Sequence, residues 1–203
     1  MKLKFKIFFY ASGILVLILF IFTSCKKDPE KNLLGDLRNV NPYVGFDTIR
    51  MGSDLENTIL FIGQGRTSTT YEATSTSDET IFFINEKDEI NFISENMEYE
   101  LLIKMFTANA DVKFIYFDLS NQSNDCRSIS ENIDLRLFKN PSSSDYFNDS
   151  VLIRNKYYYD VYKFPLHQYN CGNSEDYFDT LYYNTNSGII KLKNFSGEEF
   201  IVY

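Results

Sequence analysis

The sequence lacks tryptophan and contains one histidine, His167, among its 203 residues. His167 follows Pro165 in a polar stretch, and neither a Gly-x-Ser-x-Gly elbow nor a His-Glu-x-x-His motif accompanies it. We therefore assign no catalytic residue. A single histidine without a Cys-x-x-Cys pair does not indicate a zinc site either. The absence of tryptophan also argues against a carbohydrate-stacking platform.

Basic residues are scarce, since 20 Lys and Arg stand against 28 Asp and Glu and give a formal charge of −8. A nucleic-acid-binding surface needs a cationic patch that neutralises phosphates, so we expect no nucleic-acid partner. The glycines in residues 63–65 are too few to form a phosphate cradle. The acidic residues Glu175, Asp176 and Asp179 lack the alternating spacing of a calcium loop. We expect neither a cofactor nor a bound metal.

The N-terminus has the pattern of an export signal. Three lysines near the N-terminus precede an apolar run at residues 7–22, and small residues lead to Ser24 and Cys25. The run is shorter than the roughly 20 residues of a membrane-spanning helix, which favours cleavage over an uncleaved membrane anchor. This leader resembles the lipobox of bacterial lipoproteins. The resemblance implies cleavage between Ser24 and Cys25 and lipidation of Cys25, which then becomes the first residue.

This resemblance implies a protein that is tethered to a membrane by lipid without spanning it. We divide the chain into a helical signal segment at residues 1–24, a lipidated cysteine with a flexible tether at residues 25–41, and a single domain at residues 42–203. Loss of three lysines with the leader changes the formal charge from −8 to −11. The expected location is the cell envelope, on either side of the outer membrane.

Two cysteines remain once Cys25 is assigned to lipid. Cys126 and Cys171 both lie in polar, loop-like surroundings. Export to an oxidising compartment allows a structural disulfide, and we expect this pair to form one. Two free thiols are the alternative.

Apolar residues recur with a period of two, which is typical of β-strands with one buried face. We predict a hairpin at residues 98–119, a half-buried strand through Ile133, Leu135 and Leu137, and further strands at residues 57–63, 81–84 and 91–94. Gly63 and Gly65 indicate a turn or bulge. Short helices are considered at residues 30–40 and 86–92. The 19 Phe and 15 Tyr suit pleated sheets. The fold class is mainly β, as a single antiparallel sandwich or a strongly curved sheet.

The C-terminal part contains the most distinctive pattern. Residues 149–164 predict a strand, a tight turn at residues 154–156 and a second strand, while residues 180–184 and 188–192 flank a polar turn and residues 198–203 form a last strand. Over residues 149–203 and the leader, the chain resembles Bacteroidota-type cell-envelope lipoproteins, which pair a DS-x-x-I-N-G-x-x-Y-x-D-V-Y hairpin with a YYN-x-x-x-GIIK unit. That class implies an antiparallel β domain and no established activity.

Aromatic rings crowd the second strand of this hairpin. Tyr157, Tyr158, Tyr159 and Tyr162 place rings on both of its faces. Exposed rings can stack on sugars or on peptide partners, so these four residues are candidates for a binding surface, with core packing as the alternative.

Three functions are compatible with these patterns. The first is a non-enzymatic binding or structural lipoprotein with an unidentified protein or glycan partner. The second is an amphiphile carrier, which needs an apolar cavity. The third is a carboxylate-dependent hydrolase, which needs two acidic side chains facing one another across a cleft. The oligomeric state is left open.

Overall fold

The computed structural model describes residues 29–74, 82–108, 112–141, 144–171 and 177–203. The chain divides into two units, Met1–Glu30 and Lys31–Tyr203, and the architecture below is that of the second unit. The segment predicted to be a signal, residues 1–24, and Cys25 lie outside the described residues. Within the described ranges, no helix has the length and apolar character needed to cross a membrane.

Strands dominate the described part of the chain. They are β1 (Glu30–Asn32), β2 (Thr48–Gly52), β3 (Thr58–Thr74), β4 (Phe82–Ser94), β5 (Tyr99–Ala108), β6 (Val112–Asn121), β7 (Cys126–Ser130), β8 (Ile133–Asp134), β9 (Phe147–Ile153), β10 (Lys156–Tyr169), β11 (Phe178–Asn184), β12 (Gly188–Asn194) and β13 (Glu199–Val202). Two short 3₁₀ helices, Gly35–Val40 and Leu135–Phe138, interrupt them.

The sheet closes on itself. Its order is β4-β3-β2-β13-β12-β11-β10-β7-β6-β5, and β5 pairs back onto β4, which makes a closed antiparallel barrel of ten strands. The mainly β class is therefore confirmed. The sandwich is wrong, because a sandwich has two separate sheets with edges, whereas here the curved sheet continues until its two ends pair.

Large side chains fill the barrel interior. An eight-stranded barrel is just wide enough for ordinary side chains to fill, so ten strands enclose a wider space. Aromatic rings occupy that space, and the largest of the fully buried side chains are Tyr183, Phe61, Phe92, Phe117 and Phe164. The rings of Phe117 and Tyr183 pack with their centroids 5.2 Å apart. Several of the Phe residues thus serve to fill the wide interior of the barrel.

The N-terminal segment, residues 31–41, lies across one mouth of the barrel. Its 3₁₀ helix places Leu34, Leu37 and Val40 in the main hydrophobic core. Apolar side chains buried in this way cannot belong to a flexible linker, because their burial orders the backbone that carries them. The tether expected at residues 25–41 is therefore too long, and the folded domain includes its second half.

Hydrogen bonds from buried groups hold this segment. Glu86, a buried residue of β4, forms an ion pair with Arg38 and accepts a hydrogen bond from the Leu34 N–H at 2.8 Å. The Tyr183 hydroxyl, in the barrel interior, donates to the Val40 carbonyl at 2.6 Å. Loss of either partner would leave a buried polar group unsatisfied, which costs about 1 to 3 kcal/mol.

A second set of contacts follows directly after this segment. Arg66 reaches buried Asp88 through Nε at 3.0 Å and donates from Nη1 to the Tyr43 carbonyl at 2.8 Å. The Tyr43 hydroxyl accepts the Ile189 N–H at 2.8 Å. This approach requires glycine at position 188, since a Cβ there would meet the Tyr43 ring at 2.3 Å.

A predicted strand is replaced by a 3₁₀ helix after Asp134. The strand expected through Ile133, Leu135 and Leu137 ends at Asp134, whose carboxylate accepts the Arg136 N–H at 2.8 Å and binds the Arg136 guanidinium. The hydrogen bond from the Arg136 guanidinium is the main reason that the pKa of Asp134 is lowered, and burial opposes it. A side chain that bonds the backbone two residues on competes with a sheet ladder.

This 3₁₀ helix belongs to a segment that helps to fill the barrel. Leu135 is fully buried in the main core, and the Phe138 ring lies 4.4 Å from the ring of Tyr162. Tyr146 and Phe147, further along, pack against the same core. The apolar residues at 133, 135 and 137 thus do face the core, but beyond Asp134 they belong to a segment that packs against the barrel core rather than to a wall strand.

The other strand predictions are largely confirmed. The hairpin expected at residues 98–119 is β5 and β6, the C-terminal hairpin is β9 and β10, and the last three strands are β11 to β13. A register shift between Gly63 and Arg66 confirms the bulge. A 3₁₀ helix lies within residues 30–40, whereas residues 86–92 belong to β4.

The disulfide between Cys126 and Cys171 is confirmed, with its sulfurs 1.99 Å apart. Cys126 begins β7, and Cys171 follows the end of β10, its neighbour in the barrel. The bridge therefore joins two adjacent strands at one end of the barrel.

Alkaline pH should weaken the fold through the two tyrosines beneath the N-terminal segment. Burial raises the pKa of Tyr43 and Tyr183 well above the ordinary 10.0. Above pH 10.0 the unfolded chain releases these protons while the folded protein keeps them, so stability falls as pH rises. The slope is about 1.4 kcal/mol per pH unit per tyrosine. Urea unfolding at a series of pH values measures it.

A double variant, Tyr43→Phe with Tyr183→Phe, should lose most of this extra slope, whereas Tyr157→Phe at an exposed position should keep it. Equal slopes in the double variant and the parent protein would contradict this assignment.

Candidate functional site

The candidate site lies on the β9–β10 hairpin, which extends beyond the barrel wall. Its turn residues Arg154 and Asn155 have φ values of 44° and 64°. Two consecutive positive φ angles are the mark of a type I′ turn, whose twist matches that of paired strands. The Lys156–Ile153 pair closes the hairpin on the strand side of the turn.

A kink at Asp160 turns the hairpin over the outside of the barrel. Asp160 has a φ of 53°, and the Asn184 side chain donates to the carbonyls of Tyr159 and Asp160. The left-handed residue interrupts the alternation of side chains along β10. Beyond it, Tyr162 points into the barrel, and before it, Tyr158 points toward the outer wall.

The inner face of the hairpin is held by a second hydrophobic cluster, which we call the outer cluster because it lies on the outside of the barrel. Ile153 and Val161 from the hairpin are buried against Ile190 of β12 and Ile201 of β13. The tip is tied separately, since Arg154 Nη2 lies 2.7 Å from a carboxylate oxygen of Asp54. The hairpin is therefore anchored along its length on the barrel exterior.

The outer face of the hairpin presents exposed aromatic rings. Tyr157 and Tyr159 are 58% and 65% exposed, and Leu152, the cross-strand partner of Tyr157, is 54% exposed. The two tyrosine rings lie nearly parallel, at 26°, with centroids 6.5 Å apart. Ser150, also exposed, pairs with Tyr159 and adds a hydroxyl. We call Leu152, Tyr157 and Tyr159 the tyrosine face.

The four tyrosines proposed from sequence thus separate into three environments. Tyr157 and Tyr159 are exposed together, while Tyr158 is half-buried against the outer cluster with the Lys156 ammonium 4.6 Å from its ring centroid. Tyr162 is only 2% exposed, so it cannot contact a partner. Alternation alone would have grouped Tyr157 and Tyr159. Only the kink explains why Tyr162 faces the core.

A polar cleft of about 320 Å³ lies on the outer surface of β5, β6 and β7. It contains acidic side chains from three positions, Glu100, Asp118 and Asp125, together with Arg127. Sequence reasoning missed this cleft, because its residues come from three strands and a turn that come together only in the folded sheet.

The charged side chains of the polar cleft are largely engaged with one another. Arg127 forms a two-point ion pair with Asp118, and this hydrogen bond raises the pKa of Arg127. Glu100 accepts from Asn91 Nδ2 at 2.6 Å and from Gln122 Nε2 at 3.1 Å. Asp118 and Glu100 thus each accept at least two hydrogen bonds from neighbouring side chains of the sheet surface.

Tyr116 borders the same ion pair. Burial raises the pKa of Tyr116, and the charge of Asp118 raises it further. Its hydroxyl oxygen lies 3.4 Å from an oxygen of Asp118. The group therefore stays protonated and neutral at physiological pH.

Other sequence candidates do not form a chemical site. His167 lies on β10, largely exposed, with Nε2 3.6 Å from Glu131. Glu175 and Asp176 lie outside the described residues, as do Ser24 and Cys25. Among the described residues, no group of three or more His, Cys, Asp or Glu side chains is placed to hold a metal ion.

Comparison with known proteins does not assign this chain to a family: no family model, no curated protein and no solved structure matches it.

The outer cluster should control the mobility of the tyrosine face. Replacing Ile190 with Ala removes a buried side chain beneath the hairpin and should cost about 2 to 5 kcal/mol of stability. We expect faster amide hydrogen exchange at residues 156–159, measured by mass spectrometry. The matched control is Ile189→Ala, its neighbour in β12, which faces the barrel interior and belongs to the main core. That variant should lower global stability without a selective effect on the hairpin, and the same exchange pattern in both variants would contradict the assignment.

Proposed function

We propose that this protein is a lipid-anchored protein of the bacterial cell envelope that binds a partner without catalysing a reaction. The leader and Cys25 support the anchor, and their resemblance to a lipobox carries that part of the proposal. The outer membrane is the proposed location. The partner is a protein or a glycan that contacts the tyrosine face.

The tyrosine face is the single observation that carries the binding role. Three large apolar side chains remain exposed on a hairpin that is otherwise well anchored, with a two-residue turn and an ion pair at its tip. Holding aromatic rings rigid before a partner arrives reduces the entropy lost on binding. Tyrosine also supplies a hydroxyl at the edge of each ring, which suits contacts that are partly wet.

The filled barrel supports a scaffold role. An amphiphile carrier needs an apolar cavity, but the inward positions of the described strands are occupied by packed aromatic and aliphatic side chains. A hydrolase needs carboxylates that can meet a substrate, and in the polar cleft Asp118 and Glu100 already accept hydrogen bonds from protein donors. Both observations favour binding over transport or hydrolysis.

The anchor is tested by replacing Cys25 with Ala. We expect the variant to lose acyl labelling, because the lipid-accepting thiol is gone. The protein should then either leave the membrane fraction or retain its leader. Cys171→Ala is the control, since it breaks the disulfide but leaves Cys25 in place. Membrane fractionation with a labelled fatty acid measures both. Unchanged acylation of Cys25→Ala would refute the anchor.

The binding surface is tested by photo-crosslinking in intact cells. A benzoylphenylalanine at position 159 should give a discrete adduct, and the adduct should fall roughly tenfold when Tyr157 is changed to Ser. The matched control is position 195, because Phe195 is also exposed and stacks on Tyr177 with centroids 4.9 Å apart. Equal adducts at both positions, or an adduct insensitive to Tyr157→Ser, would count against the tyrosine face.

A further inference from the structure

The folded N-terminal segment shortens the link between lipid and barrel. Only residues 26–30 lie between Cys25 and Lys31 in the sequence. An extended chain covers at most about 3.3 to 3.6 Å per residue, so this link reaches roughly 20 Å. If Cys25 carries the lipid, as proposed above, the domain is held very near the bilayer surface. The inference below rests on that proposed anchor.

The mouth covered by the N-terminal segment carries a loop with exposed apolar side chains. Residues 42–47 continue directly from that segment into β2. Phe46 is 79% exposed and Val44 is 71% exposed, although both are large apolar residues. Two exposed apolar side chains so close together on one loop offer a small apolar contact surface.

The loop is braced, so the exposure of these side chains is built into the fold. The Asp47 carboxylate accepts the N–H groups of Val44 and Gly45 at 2.7 and 2.9 Å. The Gly45 carbonyl accepts the Gly65 N–H at 2.8 Å from the bulge in β3. A Cβ on Gly63 would meet the Gly45 carbonyl oxygen at 2.2 Å, so this approach needs glycine.

Arg66 connects the loop to the N-terminal segment. Its guanidinium donates to the Tyr43 carbonyl at 2.8 Å and to the Arg38 carbonyl at 3.3 Å, while Asp88 neutralises its charge. The end of the N-terminal segment and the start of the loop are therefore held to the same arginine of the barrel wall.

We propose that the 42–47 loop contacts the lipid bilayer, with Val44 and Phe46 inserted at the interface between headgroups and acyl chains. Burial of apolar side chains at this interface is favourable, and a short tether raises their effective concentration at the surface. The acidic body, at −11 without the leader, is repelled by anionic lipid, so the contact depends on the apolar side chains and the tether. The mouth that carries Leu55 and Met97 faces away from this surface.

The absence of tryptophan makes a direct test possible, because an introduced indole is the sole emitter beyond tyrosine. Full-length lipidated protein carrying Phe46→Trp is reconstituted into phosphatidylcholine vesicles with or without brominated acyl chains. We expect a blue-shifted emission and roughly threefold stronger quenching by brominated lipid than in the control. Val44→Trp provides an independent second position.

The matched control is Leu55→Trp. Leu55 is 70% exposed in the turn between β2 and β3, at the opposite mouth, so its indole should stay unquenched. Equal quenching at positions 46 and 55, or none at 44 and 46 in protein that floats with the vesicles, overturns the docking and leaves the anchor standing. Protein that does not float with the vesicles overturns the anchor and the docking with it.

A spacer insertion tests the role of tether length. Twenty glycine and serine residues placed after Pro29 lower the effective concentration of the loop at the membrane. We expect quenching of the Phe46→Trp indole to fall severalfold while the protein still floats with the vesicles. Quenching that does not change would overturn the claim that the short tether imposes this contact.

Discussion

Ten strands that close into a ring enclose more space than ordinary aliphatic side chains can fill, and this packing requirement governs the rest of the structure. Phe61, Phe92, Phe117, Phe164 and Tyr183 fill this space from the wall, and the half-buried Phe138 packs against them from the 3₁₀ helix after Asp134. Because protein interiors tolerate few voids, large aromatic side chains occupy the inside of the barrel. In the described strands, the interior of the barrel is a packed core of aromatic and aliphatic side chains.

One mouth of the barrel and part of its outer surface are covered by other segments of the chain. One mouth is covered by residues 31–41, whose apolar side chains complete the core while Glu86, Tyr183 and Arg66 satisfy its backbone. The outside of β12 and β13 is covered by the β9–β10 hairpin through Ile190 and Ile201. Each covering element buries one face and therefore exposes another. The tyrosine face lies on the exposed side of the hairpin, and the 42–47 loop with its exposed side chains follows directly from the segment that covers the mouth.

These two surfaces are consistent with one picture of the molecule in its proposed setting. A loop that touches lipid would orient the barrel, and a rigid hairpin on its side would then present the tyrosine face to a partner at a fixed height above the membrane. The disulfide between Cys126 and Cys171 ties β7 to the end of β10, the same strand that begins in the hairpin.

Local patterns in the sequence determined the strands with one buried face, the tight turn after Ile153, the bulge near Gly63 and the pairing of the two cysteines other than Cys25, because each depends on neighbouring residues or on simple counting. Tertiary structure alone decided the rest. Closure of the sheet depends on β13, at the C-terminal end of the chain, pairing with β2 near its start, and on β10 pairing with β7, which no local alternation encodes. The space inside the barrel explains why Leu34, Leu135 and Tyr162 are buried. Burying such a side chain in the core is more favourable than leaving it in a tether, in a strand with one solvated face or on an exposed surface.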